Sequence, residues 1–219
     1  MDSGHRRGSG ELSLPERNAR SPTSADDSPL DPVREFRLLF DRVAEGAPFD
    51  PTEMALATVD AAGRPSVRIV LLKGTDERGF LFFTNYESRK GHELAASPQA
   101  ALVWRWPWTN LQVRAEGEVE RLTAAESDAY FASRPRGHQV GAWASAQSRR
   151  IASYAALEAQ VAAAEERFAG REVPRPPHWG GFVLRPRVVE FWSGRENRLH
   201  ERRVLRLRDG AWTVELLSP

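Results

Sequence analysis

Four short stretches combine basic, aromatic and hydroxyl side chains in patterns suited to holding anions beside flat rings. In the first, Arg68-Ile69-Val70-Leu71-Leu72-Lys73, two cations interrupt an apolar run. Their odd spacing puts them on opposite faces of an extended strand. Each either reaches water at a rim or meets an anion, because a buried unpaired cation is costly. The second, Thr84-Asn85-Tyr86-Glu87-Ser88-Arg89-Lys90-Gly91, leaves a strand and enters a short helix with Ser88 as N-cap. Free N–H groups and the helix dipole there can bind phosphate, with Arg89 and Lys90 adding charge; a solvated basic turn is the alternative.

The third stretch runs from Tyr130 to Gln139 and continues through Gly141-Ala142-Trp143. Pro135 and Gly137 end a helix and present Arg134 and Arg136 on a loop, with Tyr130 one turn before Arg134. Tyrosine and arginine at that spacing can close on one phosphate, or the arginines can simply complement a helix C-terminus. Gln147 and Ser148 follow as uncharged donors. The fourth, Glu190-Phe191-Trp192 through Arg202, reads as an aromatic strand end, a turn, and a strand with Arg198, His200 and Arg202 on one face. Three basic groups on one face repel unless they share an anion or line a site.

The elements that must position these groups change period along the chain. Residues 1–29 are rich in Gly, Ser, Pro, Arg and Asp and read as a disordered tail ahead of one domain over 30–219. Asp31-Pro32 opens a helix carrying Val33, Phe36, Phe40 and Val43. Short β-rich runs follow at 54–59, 66–73, 79–84, 100–106 and 111–121. Thr123 and Glu126 form a capping box for a helix through Phe131. A longer helix from Ser153 to Phe168 carries an apolar stripe of Tyr154, Leu157, Val161 and Phe168, and Gly170 stops it. Strands return at 181–184, 188–192, 204–207 and 212–217. Many short strands with interposed helices predict a mainly β fold, a β-barrel with added helices.

Composition narrows the function. A net charge of +1 over 219 residues gives no broad attraction to nucleic acid or anionic membrane, so anion binding must be local. Cysteine is absent, which excludes disulfides, thiolate metal ligation and a cysteine nucleophile. No metal is expected. No apolar run approaches a membrane span or a signal-peptide core, and a cytoplasmic location is expected. Separate cationic patches beside aromatics are what a phosphorylated planar cofactor and a phosphorylated planar substrate would require.

These clusters, in this order, resemble the pyridoxine/pyridoxamine 5′-phosphate oxidase family. The similarity also takes in Pro176-Pro177-His178-Trp179-Gly180-Gly181 and runs from about Pro32 to Pro219. The resemblance implies an FMN-binding split barrel of Greek-key type, a homodimer with a C-terminal dimerisation region and FMN at the subunit interface. It implies that Arg68, Ile69, Val70, Leu71, Leu72, Lys73, Phe83, Thr84, Arg89, Lys90, Gln112, Gln147, Ser148, Trp192 and Arg202 bind FMN, some from the second subunit. Lys73, Tyr130, Arg134 and His138 would meet the substrate phosphate. Arg198, Leu199 and His200 would hold the pyridine ring, with Arg198 and His200 as orienting and electrostatic catalytic residues. The implied reaction takes a hydride from the substrate's C4′ carbon to the flavin and uses molecular oxygen as final acceptor. Pyridoxine and pyridoxamine 5′-phosphates would give pyridoxal 5′-phosphate and hydrogen peroxide, with ammonia from the amine.

Two departures stand out: members often carry serine where this chain has His138, and tyrosine where it has Phe83. Only His5-Arg6-Arg7 loosely resembles the family's N-terminal lid, so no lid residue is carried over. The rivals are a related flavin oxidase for another aromatic substrate, such as a phenazine precursor, and a non-catalytic carrier of FMN or pyridoxal phosphate.

Overall fold

Residues 30–219 are described by the structure, a computed structural model. The tail expected over 1–29 lies outside the described residues. Helix α1 (Pro32–Ala44) begins as its capping residues dictate, with the Asp31 carboxylate accepting the Val33 and Arg34 N–H groups, each at 3.0 Å. It buries Val33, Phe36 and Val43. Then come β1 (Glu53–Val59), β2 (Pro65–Leu71), β3 (Gly74–Asp76), β4 (Gly79–Asn85) and α2 (Arg89–Ala96). Strands β5 (Gln99–Trp106) and β6 (Leu111–Arg121) precede three helices, α3 (Ala124–Ser133), α4 (Arg136–Ala144) and α5 (Tyr154–Arg167). Strands β7 (Trp179–Ser193), β8 (Glu201–Arg208) and β9 (Ala211–Leu216) close the chain.

The nine strands form one antiparallel sheet in the order β2-β1-β5-β6-β7-β4-β3, with β8 added to β7 and β9 to β8. This is the mainly β, barrel-like architecture with added helices that the strand pattern predicts. Its core is aromatic: Phe36 of α1 sits 4.6 Å from Trp104 and 4.9 Å, edge to face, from Phe80, centroid to centroid. Both partners are fully buried. A second cluster, Phe131, Val140, Ala164, Phe168, Val173 and Trp179, lies beneath α3–α5.

Several local expectations are corrected. The runs at 181–184 and 188–192 are one strand, β7, whose first half pairs with β4 and second half with β8. Pro186 is tolerated within it because β7 itself bulges there: Glu116 faces Val188 and Gly117 faces Pro186, so Arg187 is the extra, unpaired residue. Gly117 allows that approach, since a Cβ there would lie 1.9 Å from the Arg185 carbonyl oxygen. Pro135 and Gly137 do not leave a loop, because α4 starts at Arg136 with Pro135 as N-cap. The Arg136 guanidinium donates to the carbonyls of Phe168 and Arg171 and so braces the end of α5. Tyr154 leaves the expected stripe, being 81% exposed, while Ala164 takes the buried position. Arg198 and His200 precede β8, in and after a turn where Asn197 and Arg198 have φ of 52° and 61°. Of the expected basic face, only Arg202 lies on the strand.

The Phe36 contacts generate a stability prediction. Phe36→Ala should lower unfolding free energy by about 3–5 kcal/mol in urea denaturation, whereas truncating exposed Leu38 should change it by about 0.5 kcal/mol or less.

Candidate active site

A cleft of about 750 Å³ opens between β2, β4 and the α3–α4 corner. It brings together Arg68, Ile69, Val70, Leu71, Lys73, Phe83, Thr84, Lys90 and Gln147 with Tyr130, Arg134 and His138. None of the residues lining it is acidic. Lys73 lies just beyond β2, so Arg68 and Lys73 share this cleft rather than standing on opposite sides of a sheet. Leu72 is the exception in the expected run, with its side chain buried in the core.

At one end, α2 starts at Arg89 with Ser88 as N-cap, its hydroxyl accepting the Gly91 N–H at 3.3 Å. Gly91 lets this turn close on the chain before it, because a Cβ there would sit 2.1 Å from the Tyr86 carbonyl oxygen. Lys90 Nζ donates to Gln147 Oε1 at 2.9 Å, Thr84 Oγ1 at 3.1 Å and Ser88 Oγ at 3.3 Å. Burial, reinforced by the nearby Arg68 charge and opposed by Glu93, pushes the Lys90 ammonium down to about 8. Arg89 is exposed and ion-paired at 2.8 Å with Glu93.

At the other end, Phe83 and Tyr130 stack at 3.8 Å, and Phe83 lies 5.6 Å from Trp179. The Arg134 guanidinium lies 4.5 Å from the Trp179 ring centroid. Its Nη1 is buried without an acceptor among the described residues. Such an orphaned donor calls for an anion. Burial lowers the Arg134 pKa, and burial, opposed by the Arg134 charge, raises that of Tyr130. Tyr130 therefore stays a neutral hydroxyl donor beside a cation at neutral pH. Trp179 occurs in the sequence only as part of an aromatic-glycine run; its place under Arg134 has no local signal.

The remaining predicted residues form a second surface. Gln112 pairs with Trp192 across β6 and β7, on the face opposite the core. The Trp192 ring lies 4.7 Å from His200, and Arg105 sits 5.6 Å from the indole centroid. The Arg195 backbone N–H donates to His200 Nδ1 at 3.2 Å. Arg202 is held by Glu190 through two contacts of 2.8 and 3.1 Å, and Arg114 pairs with the same carboxylate. Burial would raise the Glu190 carboxyl, but these arginines hold it low. Arg198 and Leu199 are exposed beside this group, and Ser148 is exposed after Gln147 with φ of 69°. The cleft lining of one chain does not include this second group.

A curled antiparallel barrel with a cationic, aromatic-walled cleft is the architecture of the FMN-binding split-barrel flavoproteins. Residues 44–168 match the pyridoxamine 5′-phosphate oxidase family, and residues 179–219 match the pyridoxine 5′-phosphate oxidase C-terminal dimerisation region. A pyridoxine/pyridoxamine 5′-phosphate oxidase of Myxococcus xanthus strain DK1622 is 54% identical over 191 residues, covering 87% of this chain and 93% of that protein. One from Pseudomonas paraeruginosa strain PA7 is 53% identical over 202 residues, covering 91% and 94%. The crystal structure of PhzG from Burkholderia lata 383, in complex with tetrahydrophenazine-1-carboxylic acid, superposes with a TM-score of 0.83 at 30% identity, covering 88% and 95%. A pyridoxamine 5′-phosphate oxidase-related, FMN-binding protein of Nostoc punctiforme PCC 73102 shares the fold, with a TM-score of 0.70 at 20% identity over 88% and 100%. The chain belongs to the pyridoxamine 5′-phosphate oxidase family.

Lys90 gives this site a pH signature. Its folded pKa, about 8, is below the 10.5 of a free lysine. Below pH 8 both states carry the charge and the folded state bears its burial; above it the folded state releases the proton first, so stability rises with pH. Measured on cofactor-free protein, wild-type stability relative to Lys90→Met should increase from about pH 8 to about pH 10.5. A flat difference across that window would contradict the assignment.

Proposed function

We propose that the chain converts pyridoxine and pyridoxamine 5′-phosphates to pyridoxal 5′-phosphate, with FMN as cofactor and molecular oxygen as acceptor. In net balance the alcohol and oxygen give the aldehyde and hydrogen peroxide, and the amine consumes one water in addition and releases ammonia. The observation that carries the assignment is a cleft lined by two sets of anion-binding groups from different elements, with no acid among its lining residues. Membership of the family supplies the cofactor and the substrates.

The donor chemistry fits FMN. Lys90, the free N–H groups at the start of α2 and Arg89 suit its phosphate. Arg68, close to Lys90 and paired with Glu93, adds a further cation for that phosphate, while the β2 backbone, Thr84 and Gln147 suit the edge of the ring and Phe83 adds a flat apolar contact. Bound FMN supplies the two-electron acceptor for oxidation at the substrate's C4′ carbon. Arg134, with its orphaned Nη1, Tyr130, Lys73 and His138 neutralise and orient the substrate phosphate. Arg198 and His200, with Leu199, hold the pyridine ring. Because they lie on the second surface, they act on the cleft of the other subunit in a homodimer, together with Gln112, Trp192 and Arg202. These residues position and neutralise; no general base is assigned.

The PhzG neighbour keeps open an oxidase for a non-phosphorylated aromatic. Arg134, Tyr130 and His138 come from the α3–α4 corner rather than from the start of α2, and this second set of donors in one cleft favours a cofactor phosphate and a substrate phosphate together. Among the described residues no helix is long and apolar enough to cross a membrane, and a chain without cysteine suits a reducing cytoplasm.

Purified protein should carry a yellow flavin spectrum and form aldehyde from both B6 phosphates in an oxygen-dependent assay. A colourless protein that takes up no FMN and turns over neither substrate would overturn the proposal. Arg198→Ala should reduce kcat by about 100-fold while FMN affinity changes little; equal loss of both would refute the role given to Arg198. Arg134→Ala should raise KM by about 10- to 100-fold, as expected for removing a charged hydrogen bond.

A further inference from the structure

Two arginines, Arg68 of β2 and Arg89 of α2, are held by one carboxylate. Glu93, one turn into that helix, is only 4% exposed. Its Oε2 accepts from Thr58 Oγ1 at 2.5 Å, Ser66 Oγ at 2.6 Å and Arg68 Nη2 at 3.0 Å. Its Oε1 accepts from Arg89 Nε at 2.8 Å. Burial would raise this carboxyl, but the four donors hold it down at about 2, so it is charged at neutral pH. Thr58 lies on β1, Ser66 and Arg68 on β2, and Arg89 on α2, so Glu93 ties three elements together.

The bonding uses only part of each guanidinium. Arg68 gives Nη1 to the Leu56 carbonyl and Thr58 Oγ1, and Nη2 to Ser66 Oγ and Glu93. Its Nε has no protein acceptor among the described residues. Arg89 gives Nε to Glu93 and keeps both Nη groups free of protein acceptors among the described residues, on a side chain that is 63% exposed. A long guanidinium side chain otherwise samples many rotamers, and that freedom must be given up when it is ordered on binding.

We propose that Glu93 is a positioning residue for the cofactor phosphate: it pre-orders Arg68 of β2 and Arg89 in the first turn of α2, each with donors left free. The proposal rests on the assignment of that terminus to the FMN phosphate. It makes a prediction opposite in sign to simple electrostatics. Removing a negative charge beside three cations strengthens anion binding by Coulomb's law, whereas removing the part that orders them weakens it.

The test titrates the full chain, freed of cofactor, with FMN and separately with riboflavin, which has the same ring but no phosphate, following flavin fluorescence. Wild type should bind FMN far more tightly than riboflavin. Glu93→Gln should weaken FMN binding at least about tenfold, the loss of one charged hydrogen bond, and leave riboflavin affinity within about twofold. Unchanged or tighter FMN binding by Glu93→Gln would overturn the proposal, and so would equal loss for both ligands, the mark of a merely structural role. Should Glu93→Gln fail to fold, Glu93→Asp, which keeps the charge but withdraws the oxygens by one methylene, should show the same selective loss, and unchanged FMN affinity there overturns the idea. Wild type that binds neither flavin sinks the FMN assignment itself, which distinguishes that failure from the failure of Glu93 alone.

Discussion

Like charges crowded onto one cleft are the constraint that the rest of the molecule answers. Arg68, Lys73, Lys90 and Arg134 share a lining without an acidic side chain, in a protein whose net charge is only +1. Left on flexible supports, such groups would splay into water, where each is best solvated. Here they are carried by a hydrogen-bonded antiparallel sheet and by helices seated on buried aromatics. Partial compensation comes from beneath the surface: Glu93 behind Arg68 and Arg89, and the Trp179 face beside Arg134. The cleft thus keeps an unspent demand for negative charge, and phosphorylated ligands satisfy it.

Features set by local chemistry were legible from residues alone. Asp31-Pro32, Ser88, Thr123 with Glu126 and Ser153 all begin helices as capping rules require, and Gly170, with φ of 66°, lies two residues past the Phe168 C-cap of α5. Features set by distant partners were not. Arg185-Pro186-Arg187 reads as a break, and it remains strand because β7 bulges at Arg187 while its pairing with β6 continues on either side. Pro135 and Gly137 read as a loop, yet Arg136 anchors α4 to carbonyls about 30 residues away, at Phe168 and Arg171. Glu93 is visible as an ordinary pair with Arg89 one turn earlier, but its hydroxyl partners, 35 and 27 residues upstream, are brought to it only by the sheet.

The site itself was partly legible. Residue chemistry reached several anion-binding patches beside aromatics, and the structure gathers the Arg68–Lys73, Thr84–Lys90 and Tyr130–His138 stretches into one cleft. What the flat ring is, and what is oxidised, came from family resemblance, because cations and aromatics do not distinguish a flavin from another planar phosphate. The expected strand face with Arg198, His200 and Arg202 became a left-handed turn followed by β8, since backbone torsions near Asn197 depend on the loop's closure. In exchange, the structure shows that the second group lies apart from the cleft of its own chain.

Strand β7 keeps these two groups apart. Its first residue, Trp179, backs the cleft, while Trp192, thirteen positions later, belongs to the second surface; a strand of that length reaches roughly 40 Å when straight, and the bulge at Arg187 shortens it. Under the proposed function each active centre combines the cleft of one subunit with the far end of β7 from the other, and damage to either half is then separable by inheritance. A subunit crippled in its cleft and another crippled at the Arg198 turn would, in a mixed dimer, leave one centre built wholly from sound parts. Two alleles, each inactive alone, would then restore up to half the capacity of that dimer together.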